Sequence, residues 1–256
     1  MKTGYAPVNG LNMYYEIHGE GAMPLVLIHG GGSTIITCFS KLIPLLAKDR
    51  KIIAMELQAH GRTSDRDAPE SFAQDAADVV ALLRYLGVEK ADFCGFSNGG
   101  TTTLHIAIQY PEIVHKIIVM SANYLREGMP ESLFDGLKQA TLKDMPAPLQ
   151  QGYLALNNVP SGLQTMFEKD RDRMIHFKDM DEAEISAIKA PALIMAADQD
   201  VIKVEHMLRL SRLIPSATFV VLPGVHGAFI GEVCTEGSYG RLPEATAILI
   251  GDFLAK

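Results

Sequence analysis

Short aliphatic runs alternate along the chain with longer segments whose apolar residues recur at helical spacing. LVLIHG (25–30), KIIAMEL (51–57), KADFCGF (90–96), HKIIVMSA (115–122), ALIMAAD (192–198) and TFVVLP (218–223) are strand-sized and apolar at most positions. That is the pattern of strands covered on both faces. LNMYYEIHG (11–19) reads as the first strand, running into a Gly-rich turn. Helical spacing marks TCFSKLIPLLAK (37–48), SFAQDAADVVALLRYLG (71–87), NGGTTTLHIAIQY (98–110), residues 204–214 and EATAILIGDFLA (244–255). Pro44 predicts a shortened or bent helix in the first of these. Ser71 followed by Gln74 predicts a capping box, acidic residues follow in the first turns, and Gly87 predicts the stop. Pro111 closes the helix that starts at Asn98.

Strands alternating with helices predict an α/β protein: a mostly parallel central sheet with helices on both faces. The pattern breaks after residue 122. Residues 123–188 hold several amphipathic pieces, many methionines and prolines, and no aliphatic strand-like run. The reading is therefore a core in two parts, 1–122 and 189–256, with 123–188 inserted as a helical cap above the sheet. No internal repeat or low-complexity tract interrupts this.

Composition narrows the function. With 48% hydrophobic and 21% charged residues, the 256-residue chain can bury a sizeable core. A net charge of −7 with no Lys/Arg cluster excludes non-specific nucleic-acid binding, which needs concentrated positive charge. Cys38, Cys94 and Cys234 are far apart and form no CxxC pair, so neither a zinc knuckle nor a disulfide framework is suggested. Free thiols fit a reducing compartment. MKTGYAPVNG lacks the apolar run of a signal peptide, and no apolar run is long enough to span a bilayer. The expectation is a soluble cytoplasmic protein with no membrane and no nucleic-acid partner; the oligomeric state is unreadable. Without HExxH or clustered Cys/His ligands no metal is implied, and no organic cofactor is implied either.

The chemistry centres on DFCGFSNGG (92–100). A bare GxSxG pattern arises easily by chance, but here it follows a buried strand and opens a helix, the context of a nucleophile elbow. The glycines leave room for a strained, positive-φ Ser97, and the helix start supplies free N–H groups and a positive dipole end for a developing oxyanion. Of the eight histidines, His226 in LPGVHGAFI (222–230) lies in a Gly-flanked loop after the last strand. Such loops gather at the ligand-binding edge of a parallel sheet. DQD (198–200) follows another strand to the same edge, so Asp198 and Asp200 both qualify to orient His226. The chain order Ser, Asp, His is that of hydrolases built on a parallel sheet. HGGG (29–32) offers backbone amides for an oxyanion, with Gly31 the better donor and Gly32 next, alongside the amide of Asn98 after the nucleophile.

On HGGG (29–32), GFSNGG (95–100), AADQDVI (196–202) and PGVHG (223–227), with HGRTSD (60–65) in support, the sequence resembles the α/β-hydrolase superfamily across nearly its whole length. Within it, the chain is similar to the capped esterase, lactonase and perhydrolase-like branch. The resemblance implies the α/β-hydrolase fold. It also implies a catalytic set of Ser97, His226 and Asp200, with Asp198 structural, and an oxyanion hole from Gly31 and Asn98. It departs at Ala197, where a glycine is common, and in the long loop 231–243, which could shape the pocket mouth. A serine at the elbow sets the chain apart from the aspartate and cysteine subclasses, and Cys94 is expected to be buried.

The insertion bears on substrate. Met129, Met145, Met166, Met174 and Met180, with Leu133, Phe134, Leu137, Phe167 and Phe177, are candidates to line an adaptable apolar pocket. Arg126, Arg171 and Arg173 are candidates for holding a carboxylate. The expected partner is a small, largely apolar ester or lactone cleaved through an acyl-enzyme. Perhydrolase, C–C hydrolase or hydroxynitrile-lyase chemistry on the same residues, or a ligand-binding receptor on the same fold, are the alternatives.

Overall fold

Eight strands, β1 (Lys2–Val8), β2 (Leu11–His18), β3 (Leu25–Ile28), β4 (Ile52–Met55), β5 (Ala91–Phe96), β6 (Val114–Met120), β7 (Ala192–Ala197) and β8 (Ala217–Leu222), form one sheet. Their order is β1-β2-β4-β3-β5-β6-β7-β8, antiparallel through β1, β2 and β4 and parallel from β4 to β8. The computed structural model describes residues 1–256. Ten helices accompany the sheet: α1 (Ile35–Phe39), α2 (Ile43–Leu46), α3 (Phe72–Tyr85), α4 (Asn98–Gln109), α5 (Glu131–Gln139), α6 (Ala147–Leu156), α7 (Pro160–Ile175), α8 (Glu182–Ser186), α9 (Val204–Leu213) and α10 (Leu242–Ala255).

Side chains alternate across the sheet, so neighbouring residues of one strand enter different cores. Val26, Ile28, Phe93, Ile117 and Val119 pack with residues of α3, α4 and α9 on one face. Leu25, Leu27, Cys94, Ile118 and Met120 pack with residues of α1, α2 and α10 on the other. Cys94 is fully buried there. The fold is that of an α/β hydrolase, with a mostly parallel sheet sandwiched between helices.

Three local readings change. A strand precedes 11–19: β1 pairs with β2 through the Asn9–Gly10 turn, whose residues have φ of 47° and 83°. Two consecutive positive φ values match the twist of a tight hairpin, and Asn-Gly is the pair that tolerates them. β1 alternates buried and exposed positions at its end, so it lacks the all-apolar signature of the buried strands. The helix expected over 37–48 is two short helices, with Pro44 in the first turn of the second, where its missing N–H costs nothing. Ser71 does cap α3 by accepting from the Gln74 amide, but no reciprocal bond forms. The Gln74 side chain donates instead to Asp78, which also binds Arg66 and Asn9.

Strands β3, β5, β6, β7 and β8 run parallel, so their following loops collect at one edge. Between β6 and β7 lie α5 to α8 and no strand. Met145, Leu149, Tyr153, Leu163, Met166 and Phe167 of this segment form a small apolar cluster with Ala59. Met129, Phe134, Phe177 and Met180 instead join the large core on the α3/α4 face. Val233, from the loop 231–243, packs against the small cluster. No helix is long and apolar enough to cross a membrane.

Candidate active site

β5 delivers the chain to the sheet edge, where it reverses at Ser97 (φ 54°, ψ −122°) into α4. A residue with a Cβ held there costs roughly 1–3 kcal/mol, and the surroundings must enforce it. Three glycines permit the tight approach. A Cβ on Gly95 would land on the Gly99 carbonyl, one on Gly99 on the Ile28 carbonyl, and one on Gly100 would come within 2.6 Å of the Ala122 Cβ. The Ser97 amide donates to the Met120 carbonyl on the neighbouring strand (2.9 Å). The Ser97 hydroxyl caps nothing in the helix it begins.

His226 Nδ1 lies 2.7 Å from Asp200 Oδ1. Its ring packs on Phe96, the residue before Ser97, at a centroid distance of 4.7 Å. A carboxylate only accepts, so Nδ1 carries the proton and Nε2 of the neutral ring is left as an acceptor. The Asp200 side chain has no solvent access, whereas that of His226 is 30% exposed. Asp200 also accepts from the Ser121 hydroxyl (2.5 Å) and the Ile202 amide (2.9 Å). Burial pushes its carboxyl up, but the bond and charge of His226 and the other two donors outweigh this, and the net shift is downward. Asp198 does a different job: its Oδ1 accepts from the Gly224 amide (2.7 Å), which ties the β7 loop to the histidine loop. Asp200 and His226 are thus bonded to each other at the edge that carries Ser97, with no hydrogen bond from either to Ser97.

The glycine loop is anchored at His29. Its Nε2 accepts from the Leu57 amide (3.0 Å), so Nδ1 holds the proton and donates to the Gly30 carbonyl (2.8 Å). Burial, helped by nearby charge on His60, drives its pKa down to about 3, and the ring stays neutral. Gly32 donates its amide to Asp170 Oδ2 (2.5 Å) and is not free for a substrate oxygen. This removes Gly32, the second choice for the one donor expected from the glycine loop. Gly31 makes no backbone hydrogen bond. Asn98, as the first residue of α4, has no preceding turn to bond. The two abut, since a Cβ on Gly31 would lie 2.6 Å from Asn98 Nδ2.

Asp170 belongs to a buried charge network that sequence reasoning did not find. His60 Nδ1 lies 2.8 Å from the Gln58 carbonyl and Nε2 lies 3.0 Å from Asp170 Oδ2. Both partners are acceptors, so both ring nitrogens donate and His60 is an imidazolium. Burial opposes that charge, but the Asp170 carboxylate wins and raises the pKa to about 9. Arg173 bonds Asp170 on one side and Asp75 (2.6 Å) on the other, with Glu70 at 3.5 Å. Burial raises Glu70 to about 8 and Asp75 to about 6, in each case against the opposing charge of Arg173. A signal was present: Asp170 and Arg173 lie on the same helical face as Met166 and Phe167, and buried charges on an apolar stripe must be paired. Ser121 left no such trace.

A cavity of about 250 Å³ opens beside Gly31, Gly32 and Asn98, walled by Leu137, Met145, Leu149, Met166, Phe167 and Met174. Ser97 and His226 are not in its wall. Of the three arginine candidates only Arg171 reaches it, and that side chain is held by Asp172 and the Ala140 carbonyl. Arg173 is consumed by the buried network, and Arg126 lies over the Phe134 ring at 3.7 Å.

Comparison with known proteins agrees with this fold. Residues 23–174 match the family model for the alpha/beta hydrolase fold. The human serine hydrolase BPHL is 28% identical over 75% of the chain and 68% of its own length. The 2-hydroxymuconate semialdehyde hydrolase of Pseudomonas sp. (strain CF600) is 26% identical over 94% of the chain and 90% of its own. The crystal structure of the enol-lactonase from Burkholderia xenovorans LB400 superposes with a TM-score of 0.74 at 20% identity, covering 98% of this chain and all of that one.

Proposed function

The chain belongs to the α/β-hydrolase family, and on that premise we propose that it is a serine hydrolase of small, largely apolar carboxylic esters or lactones. Ser97 is the nucleophile, His226 the base, Asp200 its orienting acid, and the amides of Gly31 and Asn98 the oxyanion donors. The observation that carries the reading is the pairing of His226 with a dry Asp200 at 2.7 Å beside an elbow that holds Ser97 at φ 54°.

The chemistry follows from these groups. Nε2 of His226 takes the Ser97 proton as Oγ bonds the carbonyl carbon. The oxyanion is received by the Gly31 and Asn98 amides, which need no reorganisation to meet it. Collapse breaks the ester C–O bond, and His226 passes the proton to the departing alkoxide. Water, deprotonated by the same ring, then releases the acid and restores Ser97. Asp200 holds the tautomer and balances the imidazolium in each half.

The apolar cavity wall supports a neutral, compact acyl group. A C–C hydrolase is the second reading, favoured by the similarity to 2-hydroxymuconate semialdehyde hydrolase over nearly the full chain. Against a carboxylate-bearing substrate stands the wall itself, where the single cation, Arg171, is already paired and Asp144 and Asp170 face the same space. The test is a panel of short-chain nitrophenyl esters and lactones, with fluorophosphonate labelling and Ser97→Ala as control. Turnover and labelling that vanish in Ser97→Ala are expected. No turnover on any member, with Ser97 unlabelled, would sink the hydrolase reading.

A further inference from the structure

α7 reaches the glycine loop through one side chain. Asp170, separated from Gly32 by 138 residues, accepts the Gly32 amide, and the same oxygen accepts from His60. The other carboxylate oxygen is held by Arg173, one turn further along the helix. Both oxygens are therefore occupied and the carboxylate cannot rotate. Two flanking cations also cancel a negative charge that would otherwise repel an oxyanion forming beside it. A buried ionic cluster is a weak source of stability, since apolar residues of similar size serve as well. What an apolar side chain cannot do is accept the amide of a glycine loop.

We propose that Asp170 is a positioning residue for the oxyanion site, an assignment that rests on the hydrolase reading above. By holding the Gly32 amide it sets the adjoining Gly31 amide for the carbonyl oxygen, and catalysis then depends on α7 being seated on the loop. Asp170 touches no reacting atom; it acts through the peptide it grips. A displacement of that peptide by an ångström is enough to cost about 100-fold in rate.

The test compares Asp170→Asn with Glu168→Ala, an exposed position on the same helix whose side chain bonds only Gln164. Asparagine has one acceptor oxygen and must set its NH2 group against donors on one side or the other; the Arg173 guanidinium draws the oxygen, so the NH2 group turns to the Gly32 amide, which loses its acceptor. For Asp170→Asn, kcat on a nitrophenyl ester should fall about 10- to 100-fold with KM within about threefold. A boronic acid that forms a tetrahedral anion on Ser97 should bind more weakly by a similar factor, and Glu168→Ala should change neither. Amide hydrogen exchange reads the contact itself: in the wild-type protein Gly32 should exchange much more slowly than Gly31, and Asp170→Asn should release it. Folded Asp170→Asn with kcat and boronate affinity within twofold of wild type would overturn the proposal. So would equal exchange at Gly31 and Gly32 in the wild type, a measurement that holds even if the variant fails to fold. Wild-type protein inert to esters and fluorophosphonate, but with Gly32 protected, would overturn the hydrolase reading and the catalytic role with it, while the contact between α7 and the loop stood.

Discussion

His226 donates through Nδ1 to Asp200 Oδ1 across 2.7 Å, at a carboxylate with no solvent access. Asn at position 200 would present an amide group to Nδ1 and favour the wrong tautomer. Asp200→Asn should lower kcat for ester hydrolysis by about 10,000-fold. Asp198→Asn can still accept the Gly224 amide, so its effect should stay within about tenfold. The reverse ranking in a steady-state assay would show that the acid has been misassigned.

Ser121→Ala removes one of the donors to a buried carboxylate and leaves Asp200 Oδ2 without its partner. Unfolding free energy should drop by about 1–3 kcal/mol. kcat should fall roughly tenfold as the acid loosens, the scale seen when an outer partner of a functional group is lost. Melting curves and the ester assay, taken together, separate the two effects.

Glycines differ in what a methyl group would meet. Gly99→Ala drives a Cβ into the Ile28 and His29 carbonyls, and should cost about 4 kcal/mol or prevent folding. Gly136 lies within α5, where an added methyl group would meet open space and no positive φ is required. Gly136→Ala should stabilise by about 0.5–1 kcal/mol. Urea unfolding of both variants is the check.

His60 is protonated more readily when folded, with its pKa raised from 6.5 to about 9. Between those values the native state holds a proton the unfolded chain has released, so its contribution to stability is complete below about pH 6.5 and lost as pH rises to about 9. Glu70 and Asp75, both raised by burial, act in the same direction at lower pH. The urea midpoint should fall from pH 6 to pH 9.5, and His60→Gln should flatten the upper part of that fall. A midpoint that rose over this range would contradict an imidazolium at position 60.

Met166 is fully buried and forms part of the cavity wall beside Asn98. Met166→Ala should favour longer acyl chains, raising the ratio of hexanoate to acetate kcat/KM by about tenfold. An unchanged ratio would place the acyl group elsewhere.

Much of the architecture was readable from the order of residues because its signals are local. Strands such as β3, β5 and β7, buried on both faces, must be apolar at consecutive positions, and α3 carries its own cap and stop. β1 escaped because an edge strand needs only one apolar face. The placing of Ser97, of the Asp198–Asp200 loop and of His226 at one edge was legible for the same reason, since each follows a recognisable strand and the sheet's topology sends all three loops there.

The remainder is decided between distant segments. Asp198 and Asp200 differ by two positions, and only the packing of the β7 and β8 loops gives one the Gly224 amide and the other His226. Four of the insertion's candidate pocket residues, Met129, Phe134, Phe177 and Met180, turn inward to the core, because one apolar residue serves a core or a cavity equally well until its neighbours are known. The Asp170–Gly32 contact spans 138 residues and rests on His60 from a third segment and on Arg173 one turn along α7. Sequence determined which groups could react and at which edge of the sheet they stand. The tertiary structure decided which partners each group keeps, because desolvation favours packings in which buried charges and amides meet an acceptor or donor, wherever in the chain that partner lies.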